Sequence, residues 1–415
     1  MEVFKGACIV GQSGGPTAVI NASICGAVAT ARSHPAITRV FGAINGIEGI
    51  LNDRLFDFAA EDEREIGLLT NTPSAALGSC RYKLKDSETD EKDYRRILEI
   101  FKKYDIRYFF YNGGNDSMDT CNKVSKYMQK AGYACRIIGI PKTLDNDLAA
   151  TDHCPGYGSA AKYIATSVCE VSLDSKAYKT GSVIIFEIMG RNAGWLAAAA
   201  ALANVAGEGP DLVYLPERPF SIDAFVEDVK SVYERKGNCI VAVSEGVRDA
   251  DGRFISEYGS SLANSKDAFG HSQMGGLAST LVSFVKEATG YKTRGIELSL
   301  LQRCAAHSAS KTDVVEAYMA GAAAVANAVA GASDRMVAFK RAPGDVYKCD
   351  TVLVPLSDVA NAESVVPDKW INERGNNVTQ DFIDYALPLI AGEPDRVYEN
   401  GLPRFARLKK TPVKE

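Results

Sequence analysis

The stretch Ile137-Ile138-Gly139-Ile140-Pro141-Lys142-Thr143-Leu144-Asp145-Asn146-Asp147 decides how the chain is read. The apolar run before Pro141 has the character of a buried strand's end. A residue preceding proline is held extended, so the strand stops there and opens into a loop. That loop carries an ammonium, a hydroxyl and two carboxylates two residues apart. Charges of both signs at a strand's mouth suit phosphoryl transfer, the cation for phosphate and the carboxylate for a hydroxyl proton. Asn and Asp are also ordinary turn residues, so alone the stretch is equally a polar turn.

The same design recurs on either side. Ala7-Cys8-Ile9-Val10 reads as a strand running into Gly11-Gln12-Ser13-Gly14-Gly15-Pro16 and a helix from about Thr17 to Ala31. Arg107 to Tyr111 runs into Asn112-Gly113-Gly114-Asn115-Asp116-Ser117 and a helix to about Ala131. Strand, glycine-rich turn and helix place backbone N–H groups and a helix N-terminus against phosphate. Ser182 to Ile188 is a strand ending in Met189-Gly190-Arg191, and Cys239 to Ser244 a strand ending in Glu245-Gly246. Ser221 opens the helix between Leu212–Leu215 and that strand. Residues 249 to about 277 are polar and read as an insertion or mobile loop, followed by a helix to Thr289. Gly295 to Leu301 reads as a strand and Asp313 to Ala330 as a helix. Arg335–Phe339 and Thr351–Val354 read as a hairpin-like pair, Asn377 to Ile390 as helical, and the basic tail (Lys409, Lys410, Lys414) as frayed. The alternation implies an α/β fold with mainly parallel sheets, whose ligands bind at the carboxyl ends of strands.

With 415 residues, 46% hydrophobic and 24% charged, the chain is long enough for two or three well-cored domains. The divisions expected are 1–147, 148–332 and a C-terminal extension, 333–415, packing on the core. A net charge of −5 without long Lys/Arg runs argues against nucleic acid or an anionic membrane as partner. The 10 scattered cysteines read as reduced, buried thiols of a cytoplasmic protein. The histidines, at 34, 153, 271 and 307, form no cluster in the sequence and read as structural.

Taken together and in this order, Ser13-Gly14-Gly15-Pro16, Gly113 to Ser117, Pro141 to Asp147, Met189-Gly190-Arg191 and Arg294 with Gln302-Arg303 resemble the phosphofructokinase family. The likeness runs from about residue 6 to residue 332. It implies two Rossmann-like domains with the active site in the cleft between them, and Mg²⁺ as cofactor. By resemblance Asp145 is the base for the sugar's 1-hydroxyl, flanked by Thr143 and Asp147, and Arg191 supports the transferring phosphoryl group. Met189, Gly190, Glu245 and Arg303 match the sugar-phosphate site. Arg294 resembles an arginine reaching it from a neighbouring subunit, which implies a homodimer or homotetramer. Gly14, Gly15, Arg81, Gly114, Asn115, Asp116, Ser117 and Lys142 match the phosphoryl-donor site.

The long C-terminal part and two positions resemble the pyrophosphate-dependent branch. ATP-using relatives usually carry Gly where Asp116 and Lys142 stand. A carboxylate there repels an extra phosphate, and a fixed cation suits a short, highly charged donor. The implied reaction turns fructose 6-phosphate and pyrophosphate reversibly into fructose 1,6-bisphosphate and phosphate. Departures from the family pattern are Asn115 in place of a Mg²⁺-linked Asp, leaving Asn115 and Asp116 as the metal candidates, Leu300 in place of a sugar-contacting His, and Ser182 in place of a second neighbour-subunit Arg, with Lys179 nearby. Cys25 and Ala29 stand where allosteric relatives carry arginines. The alternatives are an ATP-dependent sugar kinase of the same fold and a catalytically silent regulatory subunit.

Overall fold

The computed structural model describes residues 4–259, 276–344, 346–360 and 362–413. Two sheets organise them. The first contains β1 (Gly6–Gln12), β2 (Ile37–Ala43), β3 (Leu55–Asp57), β4 (Ile106–Gly113), β5 (Arg136–Pro141), β10 (Arg335–Arg341) and β11 (Cys349–Pro355), in the order β11-β10-β5-β4-β1-β2-β3. Its pairs are parallel except β2–β3 and β10–β11. The second contains β6 (Val183–Ile188), β7 (Leu212–Tyr214), β8 (Cys239–Ser244) and β9 (Thr293–Glu297), all parallel, in the order β7-β8-β6-β9.

Both sheets are covered on both faces, which is why their strands read as nearly unbroken apolar runs. In β1, Ala7 and Ile9 pack with Phe109 and Tyr111 of β4 under the helices Lys92–Lys103 and Asn115–Lys130. The alternate residues, Cys8 and Val10, join Tyr108 and Phe110 on the opposite face, beneath the helices Ile20–Ser33 and Lys311–Val329. Ile184, Phe186 and Ile188 of β6 face the core shared with the helix Tyr157–Ser175 and the Ala-rich segment 195–206, while Val183 and Ile185 face the opposite side.

Neither sheet is filled in simple sequence order. In the first, the chain leaves β1 toward β2 and later returns to β1's other side as β4; in the second, β6 lies between β8 and β9. Such reversals leave a crevice outside the strands' carboxyl ends, the usual ligand position in open α/β sheets.

Several local expectations are revised. The strand expected over Gly295–Leu301 is β9, Thr293–Glu297, and Leu301–Cys304 forms a helical turn instead. Pairing with β6 ends at Glu187↔Glu297, and the apolar pair Leu300 and Leu301 is 54% and 59% exposed rather than buried. The helix expected over Asn377–Ile390 is confined to Gln380–Ala386, with a 3₁₀ turn over Leu387–Ile390. The tail is anchored through residue 413: Glu61 accepts from the Lys409 and Lys410 amides at 2.7 Å each, and Val413 N donates to Leu55 O at 2.9 Å. Of the 249–277 segment, Ile255 is buried in a 3₁₀ turn, whereas His271, like Lys414, lies outside the described residues.

The sequence spacing concealed one histidine cluster. His153 lies between Asp152 at 2.9 Å and Glu316 at 2.7 Å. Burial lowers its pKa, but these hydrogen bonds and charges outweigh it and raise the imidazole to about 9. Arg341 bonds Asp152 at 2.9 Å and the Tyr347 hydroxyl donates to Glu316 at 2.6 Å, so alternating charges bind β10 and the following segment to the rest.

The helices Ile20–Ser33 and Lys311–Val329 cross at near backbone contact, because a Cβ on Gly26 would stand 2.1 Å from Tyr318 O and one on Gly321 1.9 Å from Ser23 O. Gly321→Ala is therefore expected to destabilise the protein by about 1–3 kcal/mol in urea unfolding. Gly67→Ala, in an exposed helical position with open space around it, is expected to stabilise by about 0.5–1 kcal/mol.

Candidate active site

The crevice between β1 and β4 is built from buried amides. Gln12 donates to Asn21 Oδ1 at 2.8 Å and accepts from Leu77 N at 2.9 Å. Asn21 in turn donates to Thr72 O and Ser74 O, at 2.9 and 2.8 Å. This fixes the loop that carries Ser79, Cys80 and Arg81. Gly14 N donates to Cys80 O at 3.1 Å, and Ser79 Oγ to Gly14 O at 2.6 Å. Gly14 has φ +78°, a left-handed conformation that glycine adopts without steric cost. Across the crevice, the hydroxyls of Ser13 and Ser117 meet at 2.5 Å. Gly114 caps the helix Asn115–Lys130, whose N-terminus therefore opens onto the same space.

The loop after β5 enters this space from the side. Lys142 is only 3% exposed, and its Nζ donates to Gly15 O at 2.7 Å. Burial lowers its pKa to about 8; Asp147 and Asp145 oppose the shift, while Arg303 and Arg81 add to it. Asp145 responds in the opposite sense. Burial, Asp147 and Glu245 raise its carboxyl to about 7 against the pull of Lys142 and Arg191. Asp147 is raised as well, by burial first, against a hydrogen bond from Thr143. The turn is held open by Asn146 at φ +57°: its side chain accepts from Cys154 N at 2.9 Å and donates to the Tyr385 hydroxyl at 2.8 Å. Thr143 Oγ1 accepts from Asp145 N at 3.1 Å.

The second crevice lies between β6 and β9. Met189 N donates to Gln302 Oε1 at 3.2 Å, tying the end of β6 to the turn that carries Arg303. Ser244 Oγ donates to Gly190 O at 2.5 Å, and Glu245 N to Ile188 O at 2.8 Å. A Cβ at Gly246 would stand 2.0 Å from Arg191 O, so glycine is what lets the two loops touch. Burial raises the Glu245 carboxyl's pKa, moderated by the Gly190 amide and Arg191. The two crevices meet at Arg303, whose guanidinium lies 3.8 Å from where a Gly15 Cβ would stand.

Comparison with known proteins bears directly on this arrangement: the phosphofructokinase family model matches residues 7–328. The chain belongs to the phosphofructokinase family. A pyrophosphate–fructose 6-phosphate 1-phosphotransferase from Halomonas elongata is 47% identical over 403 residues, 96% of this chain and 95% of that protein. One from Methylococcus capsulatus is 46% identical over 96% of this chain and 94% of its own length. The crystal structure of a pyrophosphate-dependent phosphofructokinase from Marinobacter aquaeolei aligns with TM-score 0.89 and 43% identity, over 99% of this chain and 98% of that one.

Within this phosphofructokinase, Lys142, Asp145, Asp147, Arg81, Arg191, Glu245 and Arg303 lie close enough to perturb one another's charge. Thr143, Met189, Gly190, Gly14, Gly15, Gly114 and Ser117 line the loops between them. Asp116 is exposed at the outer rim, 3.7 Å from Lys83. Arg294 stands apart. It is exposed on β9 opposite Ile184, three residues or roughly 10 Å before the strand end that faces the site. Asn115 directs its amide N to Val359 O and Ala362 O at 3.2 and 3.1 Å, the orientation being fixed by those two acceptors. Sequence reasoning missed Gln12, Asn21 and Tyr385 as supports, because each acts on a loop far away in the chain.

The raised carboxyl of Asp145 carries a stability cost that a neutral residue removes. Below the ordinary carboxylate range both states hold the proton and the cost is absent; it grows as pH rises toward about 7, where only the folded state still holds the proton, and is complete above that. Asp145→Asn is therefore expected to raise the melting temperature, by more at pH 8 than at pH 5.5, in paired thermal melts.

Proposed function

We propose that this chain is a pyrophosphate-dependent 6-phosphofructokinase. It transfers a phosphoryl group from pyrophosphate to the 1-hydroxyl of fructose 6-phosphate, giving fructose 1,6-bisphosphate and phosphate, in either direction. The observation carrying this reading is the buried Lys142 ammonium, 2.7 Å from Gly15 O in the crevice between β1 and β4, with Asp145 beside it. A short polyanion there meets Lys142, Arg81, backbone amides and a helix N-terminus. Asp116 at the rim disfavours a donor with a further phosphate and nucleoside.

The chain's own groups account for the step. Asp145 takes the proton as O1 bonds to phosphorus and the bridging P–O bond of pyrophosphate breaks, the electron pair leaving with phosphate. A carboxyl titrating near 7 is matched to that exchange in both directions. Arg191 and Lys142 stand where negative charge builds on the moving phosphoryl group. Glu245 accepts from sugar hydroxyls, Met189 and Gly190 line the sugar, and Arg303 holds the 6-phosphate through its fork. Arg294, exposed on β9, serves the same phosphate in the neighbouring subunit of a homodimer or homotetramer.

Mg²⁺ fits the hard oxygen donors available. Asp147, whose carboxyl is disfavoured as an anion by burial, would hold it together with the donor's own oxygens. When bound, the ion supplies positive charge to the phosphoryl oxygens. Asp116 lies at the donor loop's exposed edge, while Asn115 turns its amide to Val359 O and Ala362 O. Among the described residues no helix is long and apolar enough to cross a membrane, and free cysteines are consistent with a cytoplasmic enzyme.

Aldolase-coupled turnover of fructose 6-phosphate, with pyrophosphate and then ATP, tests the donor: activity with pyrophosphate supports the reading, and activity with ATP alone overturns it. Asp145→Asn is expected to lower kcat about 10²–10⁴-fold. The pH profile of kcat/KM should rise through about 7 as Asp145 deprotonates and fall above about 8 as Lys142 loses its proton. Lys142→Gly combined with Asp116→Gly is expected to shift the ratio of ATP to pyrophosphate turnover toward ATP.

A further inference from the structure

The chain that follows β11 crosses the rims of three loops built by other elements. Asn115, at the end of the β4 loop, donates to Val359 O and Ala362 O at 3.2 and 3.1 Å. Glu363 forms an isolated antiparallel bridge with Leu148, and Ser364 N donates to Asp147 O at 2.8 Å. On the side of the β6 loop, Asn192 Nδ2 donates to Glu363 Oε1 at 3.2 Å, and Trp195 Nε1 to Ser364 O at 3.0 Å. Glu217 then joins Gly194 N and Val366 N, at 2.8 and 3.0 Å, to one carboxylate oxygen. A single short segment is thus hydrogen-bonded to the donor loop, the loop of Asp145 and Asp147, and the loop of Arg191.

We propose that Glu363 and Asn115 are positioning residues for the phosphoryl transfer: through Val359 and residues 362–366 they hold these three loops in one register. The inference rests on the reaction proposed above. It also gives Asn115 a specific chemistry. An amide N–H₂ satisfies two carbonyl oxygens, whereas a carboxylate at the same place would face both of them with like partial charge. The side chain at 115 is therefore matched to the segment rather than to a cation. Glu363 accepts from Asn192 of the β6 loop through its side chain, while its backbone bridges to Leu148, the residue after Asp147. It is exposed, so its removal leaves the cores of both sheets untouched.

The test compares Glu363→Ala, Glu363→Gln and Asn115→Asp with the wild type in three measurements: steady-state kinetics, limited proteolysis and calorimetric binding of pyrophosphate. Glu363→Ala is expected to lower kcat about tenfold, the scale of a small misplacement of reacting groups, with a melting temperature near that of the wild type. Glu363→Gln, which can still accept from Asn192, should recover most of that loss. Asn115→Asp should raise the KM for pyrophosphate about tenfold or more and hasten cleavage between residues 356 and 366. Unchanged kcat and KM in Glu363→Ala would overturn the proposal, as would an Asn115→Asp enzyme that works better at limiting Mg²⁺. If Asn115→Asp fails to fold, Glu363→Ala still decides. A wild type silent with pyrophosphate would instead overturn the proposed reaction, since proteolysis reads the segment's hold without turnover.

Discussion

An ammonium group leaves water only when opposite charge comes with it. Lys142 obeys that constraint with Asp145 and Asp147 from its own loop and the carbonyl of Gly15 from another. The left-handed turn at Asn146, held by its bonds to Cys154 and Tyr385, sits between the two carboxylates and sets them on one loop. Burial, and after it the neighbouring Asp147 and Glu245, push the Asp145 carboxyl up to about 7. The buried ammonium, the shape of its loop and the titration of the carboxyl beside it are thereby parts of one arrangement.

The two sheets divide the remaining work. Each has one place where strand order reverses, and each reversal carries one half of the proposed site. At β1 and β4 the polar groups are mainly backbone and hydroxyl, suited to a charged donor; at β6 and β9 they are Glu245, Arg303 and the Met189–Arg191 turn, suited to a sugar phosphate. Arg303 near Gly15 joins the halves.

Much of this was legible in the sequence because strand ends, glycine turns and charged loops are local signals. The run before Pro141, the Gly113–Ser117 turn and the Ser221 cap lie where their residues place them. What escaped depends on distant partners. Leu300 and Leu301 imitate a strand because hydrophobicity alone does not tell whether β6 continues to pair. The anchored tail depends on Glu61, and the charge on His153 on Glu316. Asn115 and Glu363 are ordinary polar residues until the backbone brings Val359 and residues 362–366 across the loops.

The position of β10 reaches beyond the finished molecule. β5, which ends at the lysine-bearing loop, pairs with β4 on one side and with β10 on the other, through Ile138↔Arg335 and Gly139↔Met336. During synthesis some two hundred residues emerge from the ribosome between those partners, and throughout that interval β5 is a bare sheet edge. The sheet begun by the first strand is closed by nearly the last, so the nascent chain passes through a long, sticky half-built stage. The order of synthesis thus makes this long-range pairing a late event in folding, whatever the stability of the finished sheet.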